Sequence, residues 1–296
     1  MPRDMQPAAL RIDGDTELIV HLGHPTHGFR SPLIYNPWFA ARGINAAVVP
    51  MSCRAGELAR LLPALLGLGN VRGALITMPL KVEVVALLDR ASAAVQVAGA
   101  CNAVRRDADG RLVGDLFDGE GFVRGARRHG LALAGSHALV VGCGGVGSAI
   151  AASLAGAGVA GLRLFDIDAA RADALCARLR AHHRAVATVV ADPDPAGLDL
   201  VVNATALGMH AGDPLPFDVR RLAPATVVGE VVLQPEVTPL LAAAQALGCR
   251  TLVGTDMLFE QIPAYLAFFG LPVATAEELR RLAWPLRVKP PPQTTP

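Results

Sequence analysis

An apolar run breaks into glycines between Ala138 and Ala149, and few local structures accommodate such a segment. It reads ALVVGCGGVGSA, which predicts a buried strand, a tight turn and a helix that begins with small residues. Gly142 permits the turn, Gly144 lets a ligand approach the backbone, and Gly147 lets helix and strand pack closely. The first N–H groups of that helix would face a phosphate. We interpret the segment as a dinucleotide-binding loop, and a glycine-rich loop in an ordinary α/β core is the alternative.

An acidic residue follows this loop at an informative distance. A second strand, LRLF, ends at Asp166, about 24 residues after Gly142 and near the spacing of roughly 20 typical of the carboxylate that binds the ribose 2′-hydroxyl. A 2′-phosphate would need a cation at this point and would be repelled by a carboxylate. The chain has no Arg or Lys between Asp166 and Arg171. The sequence therefore predicts NAD as the cofactor, preferred over NADP.

Composition excludes several classes of protein. The 296 residues suggest two domains of ordinary size. With 52% hydrophobic residues and a formal net charge of +1, the chain can build a core and lacks the basic excess of nucleic-acid-binding proteins. No apolar stretch reaches the length of a membrane helix, and the N-terminal segment lacks an apolar signal core. We expect partners that are small molecules, with no nucleic acid and no membrane.

Cysteine and histidine spacing gives no sign of a metal site. The five cysteines are scattered and contain no CxxC pair, which is typical of free thiols in a reducing cytoplasm. His21, His24 and His27 recur every three residues, but no carboxylate or cysteine cluster accompanies them. We therefore expect a cytoplasmic protein without disulfides and without a bound metal.

Short β-like and helical segments alternate along the chain. ELIVHLG, SPLIYNPWFAARG and INAAVVP are the first three, and the alternation resumes after the glycine loop. This pattern predicts an α/β fold with mostly parallel sheets. The C-terminal segments DMLFEQIPAYLAFFG and AEELRRLAWPL are apolar on nearly all sides, so we expect helices buried against another element.

Short motifs recur at the predicted strand-to-loop edges, where parallel α/β sheets bind ligands. In chain order they are Ser31-Pro32, TMPLK (77–81), GACN (99–102), DGEGF (118–122), GCGGV (142–146), NATALGM (203–209), TPLL (238–241) and Gly254 with Met257, Leu258 and Gln261. With these motifs in this order, the chain resembles the shikimate/quinate dehydrogenase family over nearly its whole length.

The resemblance implies a two-domain α/β architecture. An N-terminal α/β substrate domain with a mostly parallel sheet would be joined to a Rossmann-type NAD(P)-binding domain, and the C-terminal helices would pack back on the N-terminal domain. The implied boundaries are 1–118 plus 256–288 for the substrate-binding catalytic domain and 119–255 for the Rossmann domain. Residues 289–296, KPPPQTTP, would form a disordered tail because they have nothing to bury.

The resemblance also implies that Lys81 and Asp118 form the catalytic pair. Oxidising a secondary alcohol requires a base for the hydroxyl proton while hydride leaves for the nicotinamide. A neighbouring carboxylate favours the ammonium form, so Lys81 would act chiefly as the acid in the reducing direction, with Asp118 orienting it. A surface lysine and a helix N-cap are the alternative interpretations of these two residues.

Further site residues follow from the same motif matches. The implied substrate-binding residues are Phe29, Arg30, Ser31, Thr77, Asn102 and Gln261. The implied cofactor-binding residues are Gly142, Gly144, Gly145, Val146, Asp166, Thr205, Val231 and Gly254. The first set would bind the carboxylate and ring hydroxyls of a substrate, and the second would bind the dinucleotide.

Several positions depart from the family motifs, each by replacing a polar residue with an apolar one. They are Phe29 in S-x-S-P, Leu75 in N-V-T, Ala103 after Asn102, Leu116 and Phe117 before Asp118, and Leu233 in D-x-x-Y. Each missing hydrogen bond costs on the order of 1 kcal/mol or more. Arg30, beside Phe29, can replace the lost serine by a charge-assisted contact with a carboxylate. We therefore expect retained hydride and proton chemistry with altered substrate recognition.

The sequence thus predicts an NAD(P)-dependent oxidoreductase that transfers hydride reversibly between nicotinamide and a ring hydroxyl of shikimate, quinate or a related cyclic hydroxy acid. Two alternatives stay open: a nucleotide-binding regulatory protein of the same fold without efficient turnover, and another Rossmann enzyme such as a folate-type dehydrogenase. The sequence leaves open the exact substrate, a biosynthetic or catabolic role, and whether the protein is a monomer or a homodimer.

Overall fold

The computed structural model describes residues 10–183 and 186–284. Its strands are β1 (Glu17–Gly23), β2 (Ala46–Ser52), β3 (Val71–Ile76), β4 (Arg90–Ala91), β5 (Ala103–Arg106), β6 (Leu112–Asp115), β7 (His137–Val141), β8 (Gly161–Phe165), β9 (Val186–Val189), β10 (Leu200–Asn203), β11 (Val227–Glu230) and β12 (Arg250–Leu252). Its α-helices are α1 (Ser31–Arg42), α2 (Leu58–Leu65), α3 (Ala93–Ala98), α4 (Asp118–Arg128), α5 (Gly145–Gly156), α6 (Ala169–His182), α7 (Pro239–Ala246), α8 (Gly254–Phe268) and α9 (Ala276–Leu282).

The first six strands form one sheet, here called the front sheet, in the order β2-β1-β3-β5-β6-β4. β1 pairs in parallel with β2 and β3, whereas β5 is antiparallel to both β3 and β6. The hairpin between β5 and β6 turns at Asp107–Gly110, where Gly110 has a φ of 81°. The segments ACNAVRR and RLVGDLF favour two strands that flank this turn. The structure confirms this pair, and it makes the front sheet mixed.

The last six strands form the rear sheet, in the order β12-β11-β10-β7-β8-β9, and its pairs are all parallel. The chain runs outward from β7 through β8 to β9, and then from β10 through β11 to β12 on the other side. The order therefore reverses between β7 and β10, which is where doubly wound sheets bind dinucleotides. The glycine loop leaves β7 at this point, so the predicted Rossmann-type sheet is confirmed.

Two helices connect the sheets. α4 follows β6 of the front sheet, leads to β7 of the rear sheet and packs on both α5 and α8. α8 follows β12, and its apolar residues Leu258, Ile262 and Leu266 lie in one core cluster with Ile19 of β1. The predicted return of the C-terminal helices to the first half of the chain is confirmed. The exact domain boundaries stay a prediction, and the predicted tail at 289–296 lies outside the described residues.

One predicted element differs in kind. LKVEVVALLD favours an α-helix by its apolar spacing, but the structure has only a short 3-10 helix at Glu83–Leu87. Val84 alone is buried within it, whereas Val85 and Leu87 are only partly buried against the core, so packing gives a longer helix little stabilisation. In the described part of the chain, no helix is both long and apolar enough to cross a bilayer.

Candidate active site between the two sheets

An ammonium–carboxylate pair lies where the two halves of the chain meet. Lys81 Nζ donates a hydrogen bond to Asp118 Oδ2. The two side chains are 11% and 5% exposed, so Lys81 does not extend into solvent. Lys81 follows β3 in a loop whose backbone is fixed by a hydrogen bond of 2.8 Å from Cys101 N to Lys81 O. Such a buried pair is stable only because each charge compensates the other.

The glycine loop touches this pair. A Cβ atom added to Gly145, the first residue of α5, would lie 3.3 Å from Lys81 Cβ and 3.4 Å from Lys81 Cδ. The helix start that would bind a pyrophosphate therefore leans directly on the alkyl stem of the lysine. This contact brings the predicted cofactor residues and the predicted catalytic pair together.

Two glycines of the loop are required for different reasons. A Cβ on Gly147 would lie 1.8 Å from Gly142 O, so the fold itself excludes a side chain there. Gly144, in contrast, has an ordinary φ of −71° and no atom within 4 Å of the position of an added Cβ. Neither backbone strain nor a protein neighbour requires glycine at 144. Open space beside the N-terminus of α5 fits the close approach of a phosphate group.

Asp166 braces the glycine loop from the neighbouring strand. Its Oδ2 accepts a hydrogen bond of 2.7 Å from Cys143 N, and its Oδ1 accepts one of 2.9 Å from Asp168 N. Asp168 in turn caps α6 by accepting from Arg171 N. The backbone of the turn thus donates a hydrogen bond to each carboxylate oxygen of Asp166, the residue that was predicted to bind the ribose 2′-hydroxyl.

Thr205, Val231 and Gly254 lie on the other side of the glycine loop. A Cβ on Gly142 would lie 2.9 Å from Thr205 Cγ2, and one on Gly254 would lie 2.9 Å from Val231 O. The carboxyl ends of β10 and β11 and the start of α8 therefore meet beside the loop. These are the positions that would face a nicotinamide ring in the predicted cofactor site.

Asn102 connects the predicted substrate side of the site to the residue before Asp118. It is fully buried, and its Oδ1 accepts a hydrogen bond of 3.0 Å from Phe117 N, next to Asp118. Its Nδ2 has no hydrogen-bond partner among the described residues. Gln261 of α8 lies against Gly121, one turn along α4 from Asp118, and its Oε1 also lacks a described partner. Unpaired buried amides of this kind are typical of groups that bind a ligand.

Thr77 and Phe29 meet at the end of β1. A Cβ on Gly23 would lie 2.5 Å from Thr77 Cγ2 and 3.0 Å from the Phe29 ring. Thr77 N donates to Leu22 O at 2.9 Å, which fixes the TMPLK loop beside β1. The Phe29 ring stacks on His21 with 4.1 Å between ring centroids. An aromatic pair thus fills the place of the first serine in the family motif.

Arg30 is a buried cation without an anion. It precedes Ser31, the first residue of α1, and is 7% exposed. Its Nη1 has no hydrogen-bond partner, and none of the described carboxylates forms an ion pair with it. Burial lowers the pKa of Arg30 below its usual value. An unpaired buried guanidinium is costly unless a ligand anion binds to it.

The sequence interpretation missed two buried polar residues near the site. Glu230 ends β11 fully buried, and its carboxylate accepts hydrogen bonds from Asn203 Nδ2, Thr238 Oγ1 and two backbone N–H groups. Burial raises the pKa of Glu230, and these bonds oppose the rise. His21 was considered only as a metal ligand. In both cases the available signal was an ionisable residue at the carboxyl-terminal half of a mostly apolar strand.

Comparisons with known proteins agree with this geometry. A family model described as the shikimate dehydrogenase substrate binding domain matches residues 22–104, and a ThiF family model matches residues 126–175. The chain is 39% identical over 266 residues to a shikimate dehydrogenase (NADP(+)) of Rubrobacter xylanophilus, covering 88% of this chain and 93% of that protein.

Two solved structures are similar over almost their full length. Shikimate 5-dehydrogenase from Listeria monocytogenes, in complex with shikimate and NAD, has a TM-score of 0.84 at 28% identity and covers 92% of this chain and 98% of its own. Quinate dehydrogenase from Corynebacterium glutamicum, in complex with NAD, has a TM-score of 0.79 at 36% identity. The match covers 91% of this chain and 99% of that one. The fold class predicted from the sequence is confirmed.

The predicted preference for NAD over NADP is wrong. Curated relatives at 39%, 37% and 35% identity are named shikimate dehydrogenase (NADP(+)). In the structure each oxygen of Asp166 accepts a backbone N–H group, so this carboxylate braces the turn, and its spacing alone did not identify the cofactor. Arg171, in the first turn of α6, supplies a cation close by, with its Nη2 3.7 Å from Asp168 Oδ2.

Proposed function

Because the chain belongs to the shikimate dehydrogenase family, we propose that it transfers hydride reversibly between a nicotinamide dinucleotide and a ring hydroxyl of a cyclic hydroxy acid such as shikimate or quinate. The observation that carries the proposal is the buried Lys81–Asp118 pair in contact with the glycine loop at Gly145. The names of the curated relatives include NADP, so NADP is the first cofactor to assay, with NAD in parallel.

Lys81 supplies the proton in the reducing direction. The dinucleotide, held by the loop from Gly142 to Val146, supplies a hydride to the carbonyl carbon when it is bound. As the carbonyl oxygen gains negative charge, Lys81 Nζ donates a proton to it, and in the oxidising direction neutral Lys81 removes that proton from the hydroxyl. Asp118 holds Nζ in position and compensates its charge. Burial of both side chains excludes water from the proton transfer.

The remaining side chains bind and orient the substrate. Arg30 and Ser31 bind the carboxylate, since Arg30 is the buried cation that lacks a described counter-charge. Thr77, Asn102 and Gln261 bind ring hydroxyls through their hydroxyl and amide groups. The apolar replacements in the family motifs then change which ring substituents are accepted, so shikimate is a poorer substrate here than a related acid.

The test is a panel of cyclic hydroxy acids with NADP and NAD, followed by Lys81→Met and Asp118→Asn. Loss of the proton donor should lower kcat by about 10²–10⁴-fold, while dinucleotide binding is unchanged. Asp109→Asn, at the exposed hairpin turn far from the pair, is the matched control and should keep full activity. Turnover that survives Lys81→Met would refute the proposed role.

A regulatory protein that binds nucleotide without turnover is the second candidate. The observation that favours it is the loss of polar groups at Leu75, Ala103 and Leu233. It predicts tight dinucleotide binding with no turnover of any acid in the panel. A cytoplasmic location and a monomeric or homodimeric state remain predictions of the sequence.

A further inference from the structure

His21 occupies an unusual place in the front sheet. It pairs with Leu75 across β1 and β3, and Leu75 pairs with Ala103 across β3 and β5. Neighbouring residues in such a row project from the same face of the sheet. Leu75 and Ala103 are two of the positions where the family motifs have polar residues. His21 thus brings a polar ring into a row that has otherwise become apolar.

The ring of His21 is fixed and lacks a hydrogen-bond partner at one nitrogen. It is 7% exposed and stacks on Phe29, with an angle of 25° between the ring planes. Its Nδ1 is buried and has no hydrogen-bond partner among the described residues. A buried ring nitrogen left unpaired costs about 1–3 kcal/mol, so a ligand that pairs with it gains affinity.

The ring is also neutral at the pH of any ordinary assay. Burial, and secondarily the positive charge of Lys81, lower the pKa of His21 to about 3. A neutral imidazole has one donor nitrogen and one acceptor nitrogen. It therefore suits a hydroxyl group, which both donates and accepts a hydrogen bond. A carboxylate accepts only, so a neutral ring with one N–H donor and no charge would bind it weakly.

We propose that His21 is a specificity-determining residue that binds a hydroxyl on the same ring carbon as the substrate carboxylate. Its stacking partner Phe29 adjoins Arg30 and Ser31, the residues to which the proposed function assigns the carboxylate, and the inference rests on that function. A hydroxyl beside the carboxylate would reach the His21–Phe29 pair. The favoured substrate class is then the cyclic α-hydroxy acid, such as quinate, over an acid that lacks this hydroxyl, such as shikimate.

The test compares quinate with shikimate in the wild-type enzyme and in His21→Leu. We expect kcat/KM for quinate to exceed that for shikimate, and His21→Leu to lower it by about tenfold or more, mainly through KM. The value for shikimate should change less than about threefold. His21→Asn, which keeps a polar group near the position of Nδ1, should restore part of the quinate activity.

His24→Leu is the matched control, because His24 is exposed and bonds Ser52 at 3.0 Å instead of facing Phe29. It should leave both substrates unaffected, and the melting temperature and dinucleotide affinity should be unchanged in every variant. Equal losses for the two acids, or no loss, in His21→Leu would overturn the inference.

Calorimetry separates this inference from the proposed function. Quinate and shikimate are titrated into the dinucleotide complex of the wild type and of His21→Leu. Tighter quinate binding that disappears in His21→Leu supports the role of His21 even where turnover fails. Equal affinities in the wild type, or no binding of either acid, would contradict it.

Discussion

Arg30 is a single residue whose proposed binding role would come at the expense of stability. Its guanidinium is buried without an anion among the described residues, and burial lowers its pKa. Removing such a cation relieves an uncompensated charge, whereas a substrate carboxylate would satisfy it. The residue therefore has a clear purpose only in the presence of an anionic ligand.

Arg30→Met keeps most of the side-chain volume and removes the charge. We expect a melting temperature equal to or above that of the wild type, together with KM for the acid substrate raised about tenfold or more. Thermal unfolding and steady-state kinetics measure the two effects. Arg11→Met, at an exposed position, is the control. A lower melting temperature with unchanged KM would show that Arg30 only supports the fold.

At the scale of an element, the strand–turn–helix from β7 to α5 combines two kinds of glycine. Gly147 is fixed by the fold, since a side chain there would overlap Gly142 O. Gly144 has free space around it in the protein. The motif predicts a packing role for Gly147 and a ligand role for Gly144, and the space around the two residues in the structure fits that difference.

Alanine at each position should therefore give opposite results. Gly144→Ala should leave the melting temperature unchanged and raise the dissociation constant of the dinucleotide about tenfold or more. Gly147→Ala should lower the free energy of unfolding by about 2–4 kcal/mol, because the backbone must shift. Chemical denaturation measures the free energy of unfolding, and a fluorescence titration with the reduced dinucleotide measures its dissociation constant. Normal dinucleotide affinity in Gly144→Ala would contradict this interpretation of the loop.

For the whole molecule, one carboxylate joins the helices that run between the sheets. Asp256 of α8 forms ion pairs with Arg128 at the end of α4 and with Arg280 of α9. Its Oδ2 also lies 2.9 Å from Nε2 of His129, within hydrogen-bond distance. Its side chain is only 10% exposed. The end of α4 opposite Asp118 is thus joined to α8 and α9, and Glu260 of α8 pairs with the same two arginines.

Asp256→Ala should lower the free energy of unfolding by about 1–2 kcal/mol, because His129 loses its partner and Arg128 and Arg280 keep only Glu260. The control is Arg220→Ala, which removes an exposed pair with Asp218 in the same turn and should have no measurable effect. Denaturant unfolding of both variants measures the two free energies. Equal stability of the two would mean that the ion pairs of Asp256 contribute nothing to the junction.

How far the sequence could predict this molecule depends on the kind of residue. That Lys81 and Asp118 lie together was predictable because ordered motifs mark them, whereas their catalytic role stays a prediction. The parallel rear sheet followed from the glycine loop after β7. His21 and Glu230 were not predictable, because burial and hydrogen bonding depend on distant strands that a local pattern cannot pair. The cofactor prediction from Asp166 was wrong for the same reason. Its spacing from the glycine loop was as expected, but its hydrogen bonds to Cys143 and Asp168 arise only in the folded turn.

The contact between Gly145 and the stem of Lys81 has a consequence for protein engineering. Under the proposed function this contact forms a wall shared by the dinucleotide site and the substrate site, so neither can be reshaped at that point in isolation. A bulkier residue at Gly145 would press on the side chain of Lys81 and move its ammonium from the position that the proposed proton transfer requires. Designers who seek a new coenzyme should therefore work at the ribose end, around the start of α6, and leave this shared wall untouched.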